Sequence, residues 1–214
     1  MKNRLVLLGP PASGKGTQAD FIQKRFGIPT TSTGAILRAE AKSGTPLGLK
    51  AQKIIRAGGL APDDVIMQVV QTWLTRIDGS FLLDGFPRTV VQGECFDQLL
   101  KARGQPLDLA IFLELPEQTI YSRMALRLTC TQCGKAVSLG RHVKDSSEPR
   151  PNCGGQLEIN ADDNQAALAR RMEEYRNKTL PVTDFYERAG ILARINGARQ
   201  GGAVSHDIER RIEG

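Results

Sequence analysis

An apolar run near the start of the chain leaves little choice of architecture for the residues after it. Arg4-Leu-Val-Leu-Leu reads as a buried strand, and it leads without a break into Gly9-Pro-Pro-Ala-Ser-Gly-Lys-Gly-Thr17. The residues from Gly9 to Thr17 fit G-x-x-x-x-G-K followed by Gly-Thr, a phosphate-binding loop that opens into a helix near Lys15. A glycine-rich turn lets successive backbone N–H groups face phosphate oxygens, and the helix start adds its positive dipole end. The Lys15 ammonium then reaches the outer phosphates. The predicted phosphate contacts are Gly9, Ser13, Gly14, Lys15, Gly16 and Thr17. Ras-like and ATPase loops place a Ser or Thr directly after the lysine to ligate Mg²⁺. Here Gly16 intervenes and moves Thr17 one position on.

Strand and helix patterns then alternate. Strands are expected at 5–8, 81–83, 109–115 and 192–195, with a weaker one at 29–31. Helices are expected at 17–26, 90–102, 117–126, 164–176, 180–188 and 206–212. The alternation predicts an α/β fold: a doubly wound, parallel, five-stranded sheet covered by helices, with ligands at the carboxyl ends of the strands. Two stretches break the pattern. Residues 32–62 read as short helices, 34–43 and 47–57, stopped at Gly58-Gly59 and restarted at Pro62-Asp63. Residues 128–160 hold three Cys and four Gly with little helical periodicity, a composition suited to a loop- and β-rich lid. The expected division is a core of 1–31, 63–127 and 161–214, a helical insertion of 32–62 and a lid of 128–160.

The net charge of +6 suits an anionic partner, and nucleotide and nucleic acid both qualify. Aromatic residues make up 5% of the chain and form no RNA-binding motif, which argues against nucleic acid. No segment is long enough to span a membrane, and the first apolar run is too short for a secretion signal, so a cytoplasmic protein is expected. Cys95 falls inside a helical pattern and reads as a small core residue; the other three cysteines are clustered.

A second strong signal is Phe81-Leu-Leu-Asp-Gly-Phe-Pro-Arg-Thr89. A strand ends at Asp84, Gly85 and Pro87 turn the chain, and Arg88 comes next. A carboxylate at a strand end beside a phosphate loop is placed to hold water on Mg²⁺. Arg88 offers a planar fork matched to phosphate oxygens. With these motifs in place the chain resembles the adenylate kinase family, of the type with a long lid, over essentially all 214 residues. The resemblance rests on Gly9 to Thr17, on Ser32-Thr33-Gly34 with Arg38, and on Leu82-Leu-Asp-Gly-Phe-Pro-Arg-Thr89 with Gln92. Arg123, Arg127 and Asp162-Asp163 followed by Arg171 complete it.

The resemblance implies transfer of a phosphoryl group from ATP, with Mg²⁺, to AMP by a monomer. It implies that Lys15 bridges the phosphates and that Asp84 orders the Mg²⁺ waters. Thr33, Gly34, Arg38, Gly85, Arg88 and Gln92 would hold AMP. Arg123, Arg127 and Arg171 would gather on the phosphates, with Arg123 and Arg127 on the ATP side and Arg171 also toward AMP. Arg123 and Arg127 are four apart, which places them on one helical face leading into the lid. The chain departs from the family at Ala12, where glycine is common, and at Ala35, where Asp is usual. It departs also at Asn160, where Arg is usual, and at Val137-Ser138, which replaces a Tyr-His pair. A kinase for another nucleoside monophosphate and a nucleotide-binding module without an acceptor site are the alternative readings.

Cys130-Thr-Gln-Cys133-Gly134 and Cys153-Gly154-Gly155 resemble two metal knuckles that would close on a structural zinc. The resemblance implies a fourth ligand at position 150, where Arg150 cannot serve. His142, Asp145 or Glu148 are the candidate substitutes, and loss of the metal is the other reading.

Overall fold

The computed structural model describes residues 1–49, 62–134, 136–140, 142–151, 153–159 and 165–214. Most of the expected 47–57 helix, the Gly58-Gly59 stop, Asn160 and Asp162-Asp163 lie outside the described residues. The strands are β1 (Arg4–Leu8), β2 (Thr30–Ser32), β3 (Phe81–Asp84), β4 (Leu109–Glu114), β5 (Arg127–Cys130), β6 (Ala136–Ser138), β7 (Leu157–Glu158) and β8 (Leu192–Asn196). The helices are α1 (Lys15–Phe26), α2 (Thr33–Lys42), α3 (Asp63–Leu74), α4 (Val90–Ala102), α5 (Glu117–Ala125), α6 (Gln165–Glu174), α7 (Pro181–Arg188) and α8 (Gly201–Glu213). A π-helical turn, Tyr175–Thr179, joins α6 to α7.

β1 is the centre of a five-stranded sheet of order β2-β3-β1-β4-β8, parallel throughout, as the alternation predicts. Its continuous apolar run suits a strand covered on both faces, and Leu5 to Leu8 are at most 1% exposed. Side chains alternate across the strand. Val6 and Leu8 join Phe81, Leu83, Phe96 and Tyr186 in one core cluster, under α3, α4 and α7. Leu5 and Leu7 join Ile22, Ile111, Leu113 and Ile208 in the other, under α1 and α8. The sheet grows from β1 in both directions, through β3 to β2 and through β4 to β8. A crevice therefore opens at the carboxyl end of β1, where an open α/β sheet takes its ligand.

The end of α8 meets the start of the chain. Lys2 N donates to Ile212 O at 3.0 Å, and Lys2 Nζ donates to Arg211 O at 2.9 Å. α8 begins at Gly201, five residues before the sequence suggests, despite the poor helix propensity of Gly201-Gly202. Its first turn is held from α1: Gln18 Nε2 donates to Gly201 O at 3.4 Å, and Ser205 Oγ donates to Gln18 Oε1 at 2.9 Å.

The 128–160 segment builds its own small antiparallel sheet, β6-β5-β7, over a core of Leu128, Cys130, Val137, Val143 and Leu157. This sheet corrects one expectation. Arg127 does not continue the helical face of Arg123, because α5 ends at Ala125 and Arg127 is the first residue of β5, paired with Ser138. Cys95 corrects another. It is exposed, since the buried stripe of α4 is Gln92, Gly93, Phe96 and Leu100, and Cys95 lies one position off it.

Candidate functional site

β1 delivers the chain into a tight loop. Gly9 has φ +148°, and a Cβ there would stand 2.8 Å from Leu113 O and 2.9 Å from Ser13 Oγ. Only glycine fits that approach. Gly14, φ +92°, turns the chain into α1. Ala12 also takes a left-handed conformation, φ 56°, so the departure at this position places an L-side chain where glycine is unstrained. Lys15 folds back over the loop: its Nζ donates to Gly9 O at 2.9 Å and to Pro10 O at 2.7 Å.

Desolvation lowers the Lys15 pKa to about 8; Asp84 pulls it up, and Arg88, Arg171 and Arg127 push it further down. Three of the arginines singled out in the sequence therefore act on the lysine of the phosphate loop. Asp84 ends β3 beside that lysine. Burial raises its pKa foremost, Lys15 and Arg88 oppose the rise, and Asp20 of α1 adds to it. Among the described residues its buried Oδ1 has no hydrogen-bond partner, and its Oδ2 lies 4.0 Å from where a Gly16 side chain would begin. A carboxylate with one unpartnered oxygen and the other facing a glycine of the phosphate loop fits a hydrated Mg²⁺. Thr17 is exposed in the first turn of α1.

The turn after Asp84 is anchored by Phe86, which is fully buried and meets Phe96 edge-on at 5.1 Å. Such a pair contributes about 0.5–1.5 kcal/mol beyond its buried area. Gly85, φ +71°, donates its N–H to Leu7 O at 2.9 Å, and its own O accepts from Arg88 Nε at 3.0 Å. Desolvation, then the neighbouring Arg171, lowers the Arg88 pKa. Arg88 thus carries its charge into a cleft already rich in cations.

The other expected residues surround this centre. Arg123 donates from Nη1 to Ala12 O at 3.3 Å and from Nη2 to Gly197 O at 2.9 Å, so it bridges the phosphate loop to the loop after β8. Arg127 Nη1 contacts Met124 Sδ at 3.8 Å. In α2, Ser32 caps the helix by accepting from Ala35 N at 3.2 Å, Thr33 is buried, and Arg38 Nη1 lies 3.3 Å from the Cβ position of Gly34. Gln92 is buried, and both ends of its amide bond to protein: Oε1 accepts from Arg88 N at 2.8 Å, and Nε2 donates to Asp63 Oδ1 at 2.7 Å.

Sequence reasoning missed Asp63, Gly197 and Thr179. Thr179 Oγ1 donates to Arg88 O at 3.1 Å from the π-helical turn. Gly197 packs so closely that a Cβ would meet Glu114 O at 3.0 Å and Ser13 O at 3.4 Å. The Gly197-Ala-Arg-Gln-Gly-Gly run was the available signal for it.

In the lid, the Cys130, Cys133 and Cys153 sulfurs lie within 4.8 Å of one another. Cys153 Sγ is 3.5 Å from Cys130 Sγ and 3.6 Å from Cys133 Sγ. Arg150 donates to Cys153 Sγ, and this contact, then the Gly155 N–H, lowers the Cys153 pKa to about 7. Gly155 has no room for a side chain, since a Cβ would stand 2.5 Å from Cys130 Sγ. Three converging sulfurs fit three corners of a tetrahedral zinc site. Among the described residues no fourth donor joins them. His142 Nδ1 accepts from Ser138 N, Asp145 Oδ1 from Ser147 N, and Glu148 Oε2 from Lys144 N.

The chain was compared with known proteins. A family sequence model described as adenylate kinase matches residues 7–191. An adenylate kinase of Syntrophomonas wolfei is 38% identical over 211 residues, 98% of each chain. One of Clostridium botulinum (strain Langeland) is 41% identical over 196 residues, 91% of each chain. One of Moorella thermoacetica is 41% identical over 215 residues, covering 98% of this chain and 97% of its own. Likeness at this level runs from the phosphate loop through the lid to the last strand, and on it the chain belongs to the adenylate kinase family.

Proposed function

We propose that the cleft brings ATP and AMP together and passes the γ-phosphoryl group between them, giving two ADP reversibly. The observation that carries this is the gathering of Asp84, Arg88, Arg127 and Arg171 around Lys15 at the carboxyl end of the central strands. So much like charge in a desolvated cleft is unfavourable alone and suits two polyphosphates held end to end. Lys15, Arg123 and Arg127, with Gly9, Ser13, Gly14, Gly16 and Thr17, are assigned to ATP. Thr33, Gly34, Arg38, Gly85, Arg88 and Gln92 are assigned to AMP, and Arg171 to the phosphates between. Asp84 would hold the waters of Mg²⁺, which when bound screens phosphate charge. The protein's own part is to orient the acceptor oxygen in line and to exclude water. A coupled assay of ADP formation tests the reading with AMP, UMP, CMP, GMP or no acceptor. ADP formation should require AMP; hydrolysis without an acceptor, or a preference for another monophosphate, overturns it.

The segments 32–62 and 128–160 are assigned as an AMP cover and an ATP lid on the core, in a cytoplasmic monomer. Among the described residues no helix is long and apolar enough to cross a membrane. Distances between labels on the core and on each segment should shorten when one ligand spans both sites. Unchanged distances in solution would exclude moving covers, and a dimer by light scattering would exclude the monomer.

The lowered pKa of Lys15 gives a pH prediction. Folding moves this group from 10.5 to about 8, so the unfolded chain binds more protons between those values. The stability contributed by this group therefore rises with pH across that window. Phosphate favours the charged ammonium, so binding acts in the opposite sense. ATP affinity should be full below about pH 8 and fall by up to about tenfold per unit above it. Calorimetry in buffers of different ionisation heat should detect proton uptake on binding above that pH. Affinity independent of pH from 7 to 10 would remove Lys15 from the phosphates.

For the lid we propose one zinc on Cys130, Cys133 and Cys153, with water completing the site. The metal would cross-link the lid and take no part in transfer, so its removal should lower the melting temperature more than the turnover. Metal analysis of protein prepared without chelator should give about one zinc per chain. A content near zero, unchanged after incubation with zinc under reducing conditions, would show three plain thiols.

A further inference from the structure

Asp63 opens α3, the helix that comes after the stretch 50–61, and its carboxylate accepts from two side chains at the start of α4. Gln92 Nε2 donates to Oδ1 at 2.7 Å, and Thr89 Oγ1 donates to Oδ2 at 2.9 Å. Thr89 in turn caps α4 by accepting from Gln92 N at 3.1 Å. Gln92 Oε1 accepts from Arg88 N at 2.8 Å. One carboxylate thus secures both the backbone and the side chain of Gln92.

The chemistry of these partners fixes which way the amide faces. A carboxylate only accepts and a backbone N–H only donates, so turning the amide over would set like against like at both ends. Gln92 is only 4% exposed, so neither lost bond would be replaced by bulk water. After these two bonds an amide still has one N–H and one oxygen lone pair to offer. Adenine presents an acceptor at N1 beside a donor at N6, and guanine presents a donor at N1 beside an acceptor at O6. A mobile amide can meet either edge by turning over; a held amide meets one.

We infer that Asp63 is a positioning residue for acceptor selectivity: by holding the Gln92 amide in one orientation, it admits the adenine edge and rejects the guanine edge. The inference rests on the assignment of Gln92 to the AMP base made above. Asp63→Asn keeps an amide oxygen that can still accept from Gln92 Nε2, whereas Asp63→Ala removes that bond together with the one to Thr89 and leaves Gln92 held only at Oε1, by Arg88 N. Thr89→Val removes only the bond to Thr89, and with it the α4 cap.

The test is steady-state kinetics of the full chain with AMP and with GMP as acceptor. For D63A the KM for AMP should rise about tenfold with kcat within about threefold, and the AMP/GMP ratio of kcat/KM should fall about tenfold. Asp63→Glu, which keeps the acceptor on a longer arm, should lose less. Thr89→Val should lower the melting temperature and keep the ratio. Gln92→Ala should lose the preference, and adding D63A to it should change the ratio no further. A parallel loss with AMP and GMP, a fall in kcat alone, or an unchanged ratio in D63A while Q92A loses it, overturns the role of Asp63. A preference intact in Q92A overturns instead the placement of Gln92 at the base. Should D63A fail to fold, the ratio of D63E must lie between those of wild type and Q92A, and a wild-type value overturns the inference.

Discussion

Replacing Arg88 by alanine should cost about 3–5 kcal/mol of transition-state stabilisation, read from kcat/KM, as for other arginines in phosphoryl transfer. The fold should hardly notice. Among the described residues the side chain makes a single bond to protein, from Nε to Gly85 O. The contacts that lock the turn use the Arg88 backbone, N to Gln92 and O from Thr179, and survive any side chain. Loss of that bond is offset by removal of a cation that desolvation and Arg171 disfavour, so stability should shift by no more than about 0.5 kcal/mol. Lysine should rescue in part, since it restores the charge without the fork. Normal turnover in a folded Arg88→Ala protein would remove Arg88 from the reaction.

Lys15→Met should separate activity from stability even more widely. The ammonium sits where desolvation and three arginines disfavour its charge, so its removal relieves the fold. Against this, Gly9 O and Pro10 O each lose a hydrogen bond of about 1 kcal/mol. The two effects oppose, and thermal unfolding should shift little. Turnover should fall about a thousandfold or more, because a preorganised cation on the transferring phosphoryl group is lost. A methionine variant that keeps ATP affinity and turnover would mean that the loop binds phosphate through its backbone alone.

The features legible in the sequence were those decided locally. The phosphate loop shows in Gly9 and Gly14 because the backbone itself demands glycine there. The Asp84 to Arg88 turn is read as easily, since strand, turn residues and charge succeed one another directly. Residues whose placement depends on distant partners were read wrongly or missed. Arg127 has the spacing of a helical neighbour of Arg123, and only its pairing with Ser138 makes it a strand residue. Cys95 sits one helical position from Phe96, a rotation of about 100° that periodicity reads poorly in a short helix. Asp63 looked like an ordinary helix-start acid, because its partner Gln92 lies 29 residues on. The lid strands escaped for a similar reason: β6 and β7 each pair with β5 and carry no alternation long enough to show alone.

The meeting of Lys2 with the end of α8 has a consequence for synthesis. Protein is made from the amino end, so β1 emerges early and its neighbours β3 and β4 much later. The face built on Leu5 and Leu7 is sealed by Val204, Ile208 and Ile212, which lie in the last helix. α1 covers part of that face through Ala19 and Ile22, and the rest stays exposed in the growing chain until α8 leaves the ribosome. Chains stalled or truncated before residue 201 should therefore be clients for chaperones, and a shift to slower translation near the end would lengthen that exposure.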